Sequence, residues 1–185
     1  GGSFNHNNSL LYLFATASGK LVVPGGSSLS GLHFNGAGGE WSMNTATTTV
    51  LRNFTIQNGS TTLPTQSLTL GGSFINAGTF THNSGTVLMN STDTGEVITP
   101  GSSSFYNLTL QGTGGGWTIT NHATTTHNFA LTTGSAFTLT SGQIMVVNGT
   151  FSNAIGGAAT PWSGGALYFI FGLVCSMGGK SVNET

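Results

Sequence analysis

Short segments in which apolar and polar residues alternate recur along the whole chain, and glycine or asparagine separates each from the next. Leu108-Thr-Leu110 and Phe137-Thr-Leu-Thr140 alternate apolar side chains with threonine, as a half-buried strand requires. Asn-Gly, Gly-Gly and Ser-Gly pairs between the segments predict turns with positive backbone φ. No window of a dozen residues has helical periodicity, so the pattern predicts an all-β protein with essentially no helix.

A long internal repeat organises these segments. Residues 1–43 align with residues 77–119 without a gap and share 15 identical positions. The identities include residue types that a Gly/Ser/Thr-rich composition does not produce by chance, namely Phe4 with Phe80, His6 with His82, Pro24 with Pro100, and Trp41 with Trp117. After a slip of one residue, Asn53-Phe54 aligns with Asn128-Phe129. The repeat predicts two units, residues 1–76 and 77–152, and a partial third unit at 153–185 with an apolar terminal strand.

Two architectures suit strands of this length. A parallel β-solenoid would build each unit of about 76 residues from three or four rungs of roughly 20 residues. A tandem of small β-sandwiches would instead fold each unit separately. The very short connections favour the solenoid, in which asparagine and threonine at recurring positions can stack into hydrogen-bonded ladders.

Charge is almost absent from this chain. Charged residues make up 4% of the sequence, and the formal net charge is −1. Binding to nucleic acid depends on lysine and arginine at the phosphates, so this composition excludes a basic nucleic-acid binder. With 37% hydrophobic residues the chain is not a disordered tail either. The low lysine and acid content favours an extracellular or cell-surface protein.

The C-terminal region contains the longest apolar run, the ten residues Ala166 to Cys175. A membrane-spanning helix needs about 20 such residues, so this run predicts a buried strand and not a span. Cys175 is the only cysteine, which excludes a disulfide within the chain.

The repeated strings are similar to those of a known kind of protein. Gly78-Thr-Phe-Thr-His-Asn-Ser-Gly-Thr-Val-Leu-Met89, followed by Ser103-Ser-Phe-Tyr-Asn-Leu-Thr-Leu110, resembles the β-strand-repeat regions of secreted bacterial surface proteins of the filamentous-haemagglutinin-like adhesin type. The resemblance covers most of residues 1–170. It implies a right-handed β-helix, export, and an adhesive or scaffolding role with no catalytic residues.

Residues suited to catalysis or metal binding are few. Asp93 and Glu96 are the only acidic residues close together in sequence; the repeat replaces them with Ala17 and Lys20, and we interpret them as a solvated turn. His6 and His82 occupy one repeat position and indicate a structural turn, since no cysteine or carboxylate completes a zinc site. We therefore expect no enzymatic activity, no metal and no cofactor.

The tryptophans admit two interpretations. Trp41 and Trp117 each follow a glycine-rich stretch, and an exposed indole there could stack on a sugar ring. Packing of each indole into the core of a rung is the favoured alternative. The first interpretation makes glycans possible partners.

Self-assembly is the function that the sequence favours. We expect the apolar C-terminal strand to complete the N-terminal rung of a second copy, which gives a head-to-tail filament or surface scaffold. The residues predicted to form this contact are Phe4, Leu167, Tyr168, Phe169, Ile170 and Phe171. An adhesive or carbohydrate-binding segment of a larger secreted surface protein is the alternative function.

Overall fold

The computed structural model describes residues 4–43, 47–134, 136–160, 164–170 and 175–177, which form a parallel β-solenoid. Every strand pairing in these ranges is parallel, and each strand pairs with one that lies a turn earlier or later in the chain. Residues stacked above one another are 20 to 24 positions apart along the best-defined column, which is Leu11, Leu32, Phe54, Phe74, Ile98, Ile119 and Leu139. A turn of the solenoid therefore contains about 21 residues, which agrees with the predicted rung length of roughly 20 residues.

Three faces make up each turn. Face 1 contains β1 (Leu10–Leu13), the first part of β3 (Gly31–Ser42), the first part of β5 (Phe54–Thr62), β7 (Phe74–Asn76), β10 (Glu96–Thr99), β12 (Gly116–Ile119) and β15 (Ala136–Leu139). Face 2 contains β2 (Lys20–Leu21), the second parts of β3 and β5, β8 (Thr79–Thr81), β13 (Ala123–Thr125), β16 (Ile144–Val147) and β18 (Ala166–Phe169). Face 3 contains β4 (Thr47–Val50), β6 (Ser67–Leu70), β9 (Thr86–Met89), β11 (Asn107–Gln111), β14 (Phe129–Thr133), β17 (Phe151–Asn153) and β19 (Cys175–Met177).

Alternation of side chains produces a single core that runs the length of the solenoid. In β6, Leu68 and Leu70 point inward and are buried, while Ser67 and Thr69 lie on the outside. Aromatic rings stack on one another between turns, with the ring centroids of Phe54 and Phe74 5.3 Å apart. Each ring buries large apolar area against its neighbours above and below, so the stack stabilises adjacent turns together.

Polar ladders cover the corners, as the sequence predicted. Asn107 Oδ1 accepts the N–H of Asn128 at 3.1 Å, and Asn128 Oδ1 accepts the N–H of Thr150 at 2.9 Å. The same contact occurs at the corner before face 1, where Asn53 Oδ1 accepts the N–H of Ser73. Asparagine thus satisfies turn N–H groups that the strand ladders leave unpaired.

The 76-residue repeat does not return to the same face, and this corrects the expectation that its units contain a whole number of rungs. Leu32 lies on face 1 and its counterpart Leu108 on face 3. Trp41 lies on face 2 and its counterpart Trp117 on face 1. At about 21 residues per turn, 76 residues make about three and two-thirds turns, so each unit is rotated by a third of a turn relative to the previous one.

The stack excludes the tandem-sandwich alternative, because sandwich strands pair antiparallel within separate sheets. The only helical segment in the described ranges is a 3-10 turn at Gly157–Ala159. No helix in that part of the chain is long and apolar enough to cross a membrane.

Candidate functional site

Both tryptophans lie in the core, which favours packing over sugar stacking. Trp41 is 4% exposed and Trp117 1% exposed. Glycine makes room for the indole: a Cβ atom on Gly115 would come within 2.8 Å of Trp117 Cη2, and one on Gly39 within 2.6 Å of Trp41 Cη2. With no accessible ring face in this arrangement, neither indole can serve as a platform for a saccharide.

His6 and His82 form equivalent turns, in agreement with their interpretation as structural residues. The Nδ1 atom of His6 accepts the N–H of Asn8, and Nδ1 of His82 accepts the N–H of Ser84, both at 3.0 Å. The two residues after each histidine have positive φ, between 45° and 60°. In the described ranges no three His, Cys, Asp or Glu side chains are placed to hold a metal ion.

The first candidate site is the side of β1 that faces away from β3, which we call the open edge. Within the described residues β1 pairs with β3 alone. Its outward side chains are exposed, at 47% for Leu10 and 47% for Tyr12, and Phe14 beyond it is 61% exposed. Leu11 and Leu13 point into the core but are only partly buried. As far as the described residues go, the open edge therefore combines unpaired backbone with an apolar surface.

The hydrogen-bond pattern shows which residues of β1 direct their N–H groups out of the open edge. Core-facing residues bond to the following turn: Leu32 N–H donates to Asn53 O at 3.1 Å, and Phe54 N–H donates to Ser73 O at 2.9 Å. Leu11 is the equivalent residue of β1, so it bonds toward β3. Because neighbouring residues in a strand direct their N–H groups to opposite sides, Leu10 and Tyr12 direct theirs out of the open edge.

The C-terminal residues predicted for assembly lie on β18 and just after it. Tyr168 and Ile170 are exposed, at 47% and 48%, while Leu167 and Phe169 are partly buried against the core. Ala166 N–H donates to Gln143 O, and Ile170 N–H donates to Val147 O, so both residues bond to the preceding turn. Leu167 and Phe169 alternate with them and therefore direct their N–H groups away from that turn. Phe171 lies outside the described residues.

Phe4 lies near the N-terminal turn, separate from β18. Its side chain is 51% exposed, and its N–H donates to Ser27 Oγ at 3.0 Å. Phe80 makes the equivalent bond to Ser103 Oγ at 2.8 Å, but its side chain is buried. The same backbone contact therefore forms whether the ring is buried or exposed.

A second candidate site, which the sequence did not indicate, is a groove of about 580 Å³ at the corner between faces 3 and 1. We call it the charged groove, because three of the five charged residues in the described ranges line it: Arg52, Asp93 and Glu96. The other lining residues are Leu10, Leu32, His33, Leu51, Asn53, Thr55, Gly71 and Gly72. Residues from five successive turns meet there, so no short sequence window reveals it.

Hydrogen bonds fix Glu96 in the charged groove. Its Oε1 accepts the hydroxyl of Ser91 at 3.3 Å, and its Oε2 accepts the hydroxyl of Ser73. Ser73 Oγ in turn accepts the N–H of Val97 at 3.0 Å. Asp93 and Arg52 are exposed at the rim. The groove thus has a fixed carboxylate, a second carboxylate beside it, and a separate cation.

The internal repeat shows that the fold does not require these charges. The repeat aligns Asp93 with Ala17, Glu96 with Lys20 and, across the one-residue slip, Arg52 with His127. Both halves nevertheless form the same glycine, asparagine and tryptophan contacts. Asp93 lies on an exposed turn, as the sequence predicts, whereas Glu96 begins β10 and is partly buried. The turn that contains both is the longest of its column, with 24 residues from Phe74 to Ile98.

A scan of protein-family models and searches of curated proteins and of solved structures find no match to this chain.

Proposed function

We propose that this protein is a non-enzymatic extracellular structural component that assembles head to tail through its open edge into a filament or surface scaffold. The observation that carries the proposal is the open edge itself, where apolar side chains lie beside N–H groups of β1 that have no partner among the residues the structure describes. A strand edge of this kind is a template for pairing with another chain.

The two ends of the described solenoid are complementary in their hydrogen-bonding pattern. At the open edge the outward-facing residues Leu10 and Tyr12 present their N–H groups. On β18 the core-facing residues Leu167 and Phe169 present theirs. Parallel pairing between turns of this solenoid joins these two kinds of residue. Because β1 lies on face 1 and β18 on face 2, their pairing stacks a second copy in the same axial direction but rotated by a third of a turn.

Features that normally prevent edge pairing are missing from β1. Natural sheets protect edge strands with lysine, proline or inward-pointing charge. β1 has the sequence Leu-Leu-Tyr-Leu and carries none of these. Lys20 lies on face 2 in β2, and Arg52 lies two turns after β1 in the corner before β5, so neither cation is carried by β1 itself.

Replacement of Tyr12 by proline tests the proposal at one backbone group. Proline removes the N–H that points out of the open edge and leaves the bonds from Leu11 and Leu13 to β3 in place. We expect wild-type protein to form uniform filaments in negative-stain electron microscopy as concentration rises. The Tyr12→Pro protein should remain monomeric in sedimentation at the same concentrations.

Tyr12→Thr is the matched control, since it removes the ring but keeps the N–H and the β propensity. It should assemble, with a raised critical concentration. Circular dichroism and melting of both variants establish that they fold. Filaments of Tyr12→Pro equal to those of the wild type, or a wild-type protein that stays monomeric throughout, would contradict the proposal.

A further inference from the structure

The charged groove separates its two kinds of charge along the solenoid axis. Arg52 lies in the corner before β5. Two turns later, Glu96 begins β10 and Asp93 lies in the bend before it. Since stacked strands are about 4.8 Å apart, the cationic and anionic positions are roughly 10 Å apart. A groove with this charge separation matches a ligand that has opposite charges at its two ends.

Glycine keeps the middle of the groove open. Gly71 and Gly72 form the corner between the two charged positions. A Cβ on Gly72 would approach Asn53 Oδ1 to 2.5 Å and the carbonyl carbon of Arg52 to 2.7 Å, and one on Gly71 would collide with the carbonyl oxygen of Leu51. These clashes are with the preceding turn, so the glycines are required for close stacking of the corner. They also leave bare backbone between Arg52 and Glu96, along which a ligand can lie.

We propose that the charged groove binds a short zwitterionic peptide of about three residues, with its carboxylate at Arg52 and its ammonium group at Asp93 and Glu96. Three residues of extended chain span about 10 Å, which is the separation of the two charged positions. Glu96 is already oriented by Ser73 and Ser91, so little ordering of this carboxylate is needed on binding.

Other lining residues suit a peptide. Leu10, Leu32 and Leu51 give the groove apolar walls that can contact side chains.

Two other ligand classes fit the groove less well. The phosphates of a nucleic acid would meet two carboxylates and a single arginine. An oligosaccharide commonly uses an aromatic platform, and none of the residues that line the groove is Phe, Tyr or Trp. Of these two classes, the oligosaccharide is kept as an outcome of the test.

Calorimetric titration with three forms of one peptide tests the proposal. The probes are trialanine with free termini, N-acetylated trialanine, and trialanine amide, and the Tyr12→Pro protein is used so that assembly does not interfere. We expect saturable binding of the free peptide. Each blocked form should bind about tenfold more weakly, because each loses one charge-assisted contact.

Two variants assign the ends of the peptide. In Arg52→Gln the free peptide and its amide should bind equally, while acetylation still weakens binding. In Asp93→Asn the effect of acetylation should shrink and that of amidation should persist. Lys20→Gln removes the same charge as Arg52→Gln away from the groove, and it should bind all three peptides as the parent protein does.

Three results would overturn the proposal. They are no saturable binding of free trialanine, equal binding of the three peptides by the parent protein, and saturable binding of maltotriose without binding of trialanine. Because the titration uses protein that does not assemble, these outcomes are separate from the fate of the filament proposal.

Discussion

Trp41 and Trp117 fill equivalent corners on different faces of the solenoid, each against glycines whose missing side chains make room for the indole. The matched Gly-rich stretches and tryptophans predicted one local structure built twice. Burial of the rings agreed with the favoured interpretation of that pattern. The sequence could not specify the face on which each copy lies, because apolar and threonine residues alternate alike on all three faces.

Gly115→Ala should destabilise the protein by about 1–3 kcal/mol, since overpacking a rigid site costs energy of this order. The new methyl group would collide with the carbonyl oxygen of Ser91 and lie 2.8 Å from Trp117 Cη2. Urea denaturation followed by tryptophan fluorescence measures the change.

Gly116→Ala is the control for this prediction. A Cβ there makes its nearest contact with Thr94 Cγ2 at an ordinary 3.4 Å. It should change the free energy of unfolding by less than about 0.5 kcal/mol. If the two variants are equally stable, the close packing of Trp117 against Gly115 does not constrain the fold.

Strands and their corners show how far the pattern of residues determined the elements. The short alternating segments correctly predicted strands such as β6, β11 and β15. The glycine-rich stretch Gly36–Gly39 did not predict its own structure, since it lies within the long strand β3 and turns the corner from face 1 to face 2. Its glycines are needed for close approach: a Cβ on Gly36 or Gly39 would collide with the carbonyl oxygen of Ala15 on the preceding turn.

Asn128 tests the polar ladders. Asn128→Ala should lower the free energy of unfolding by about 0.5–1.5 kcal/mol, because the N–H of Thr150 loses its protein acceptor. Asn128→Asp keeps an acceptor oxygen at the same position and should cost less. Thermal melting of the two variants checks the order, and equal losses would mean that the ladder bond contributes nothing specific.

The whole molecule is a stack in which each turn contacts its neighbours, and this explains why the charged groove escaped prediction. His33, Arg52, Gly72 and Glu96 belong to four successive turns. Their alignment depends on the length of each turn, which varies from 20 to 24 residues along the chain. Composition and repeat length predict the average number of residues per turn. They do not predict the length of each individual turn, on which the alignment of these four residues depends.

The rate of amide hydrogen exchange in a strand should depend on whether that strand is paired on one side or on both sides. The N–H groups of β7, which is paired on both sides, should exchange more slowly than those of β1. In the monomer Leu10 and Tyr12 should exchange fastest within β1, whereas Leu11 and Leu13 are bonded to β3. Hydrogen exchange with residue resolution checks this.

Filament formation should slow exchange at Leu10 and Tyr12 specifically. The monomeric Tyr12→Pro protein provides the unassembled reference for Leu10. Unchanged exchange at Leu10 in wild-type filaments would exclude the open edge as the contact.

The one-third rotation of the repeat has a consequence for how copies of a surface feature are distributed. Three units, about 228 residues at 76 each, correspond to about eleven turns, after which a repeat position returns to the face on which it began. Duplication of such a unit therefore places successive copies of a surface feature on three different faces of the solenoid, one face after another along its axis. A binding feature carried once per unit would face outward in every direction around the axis and not along one line.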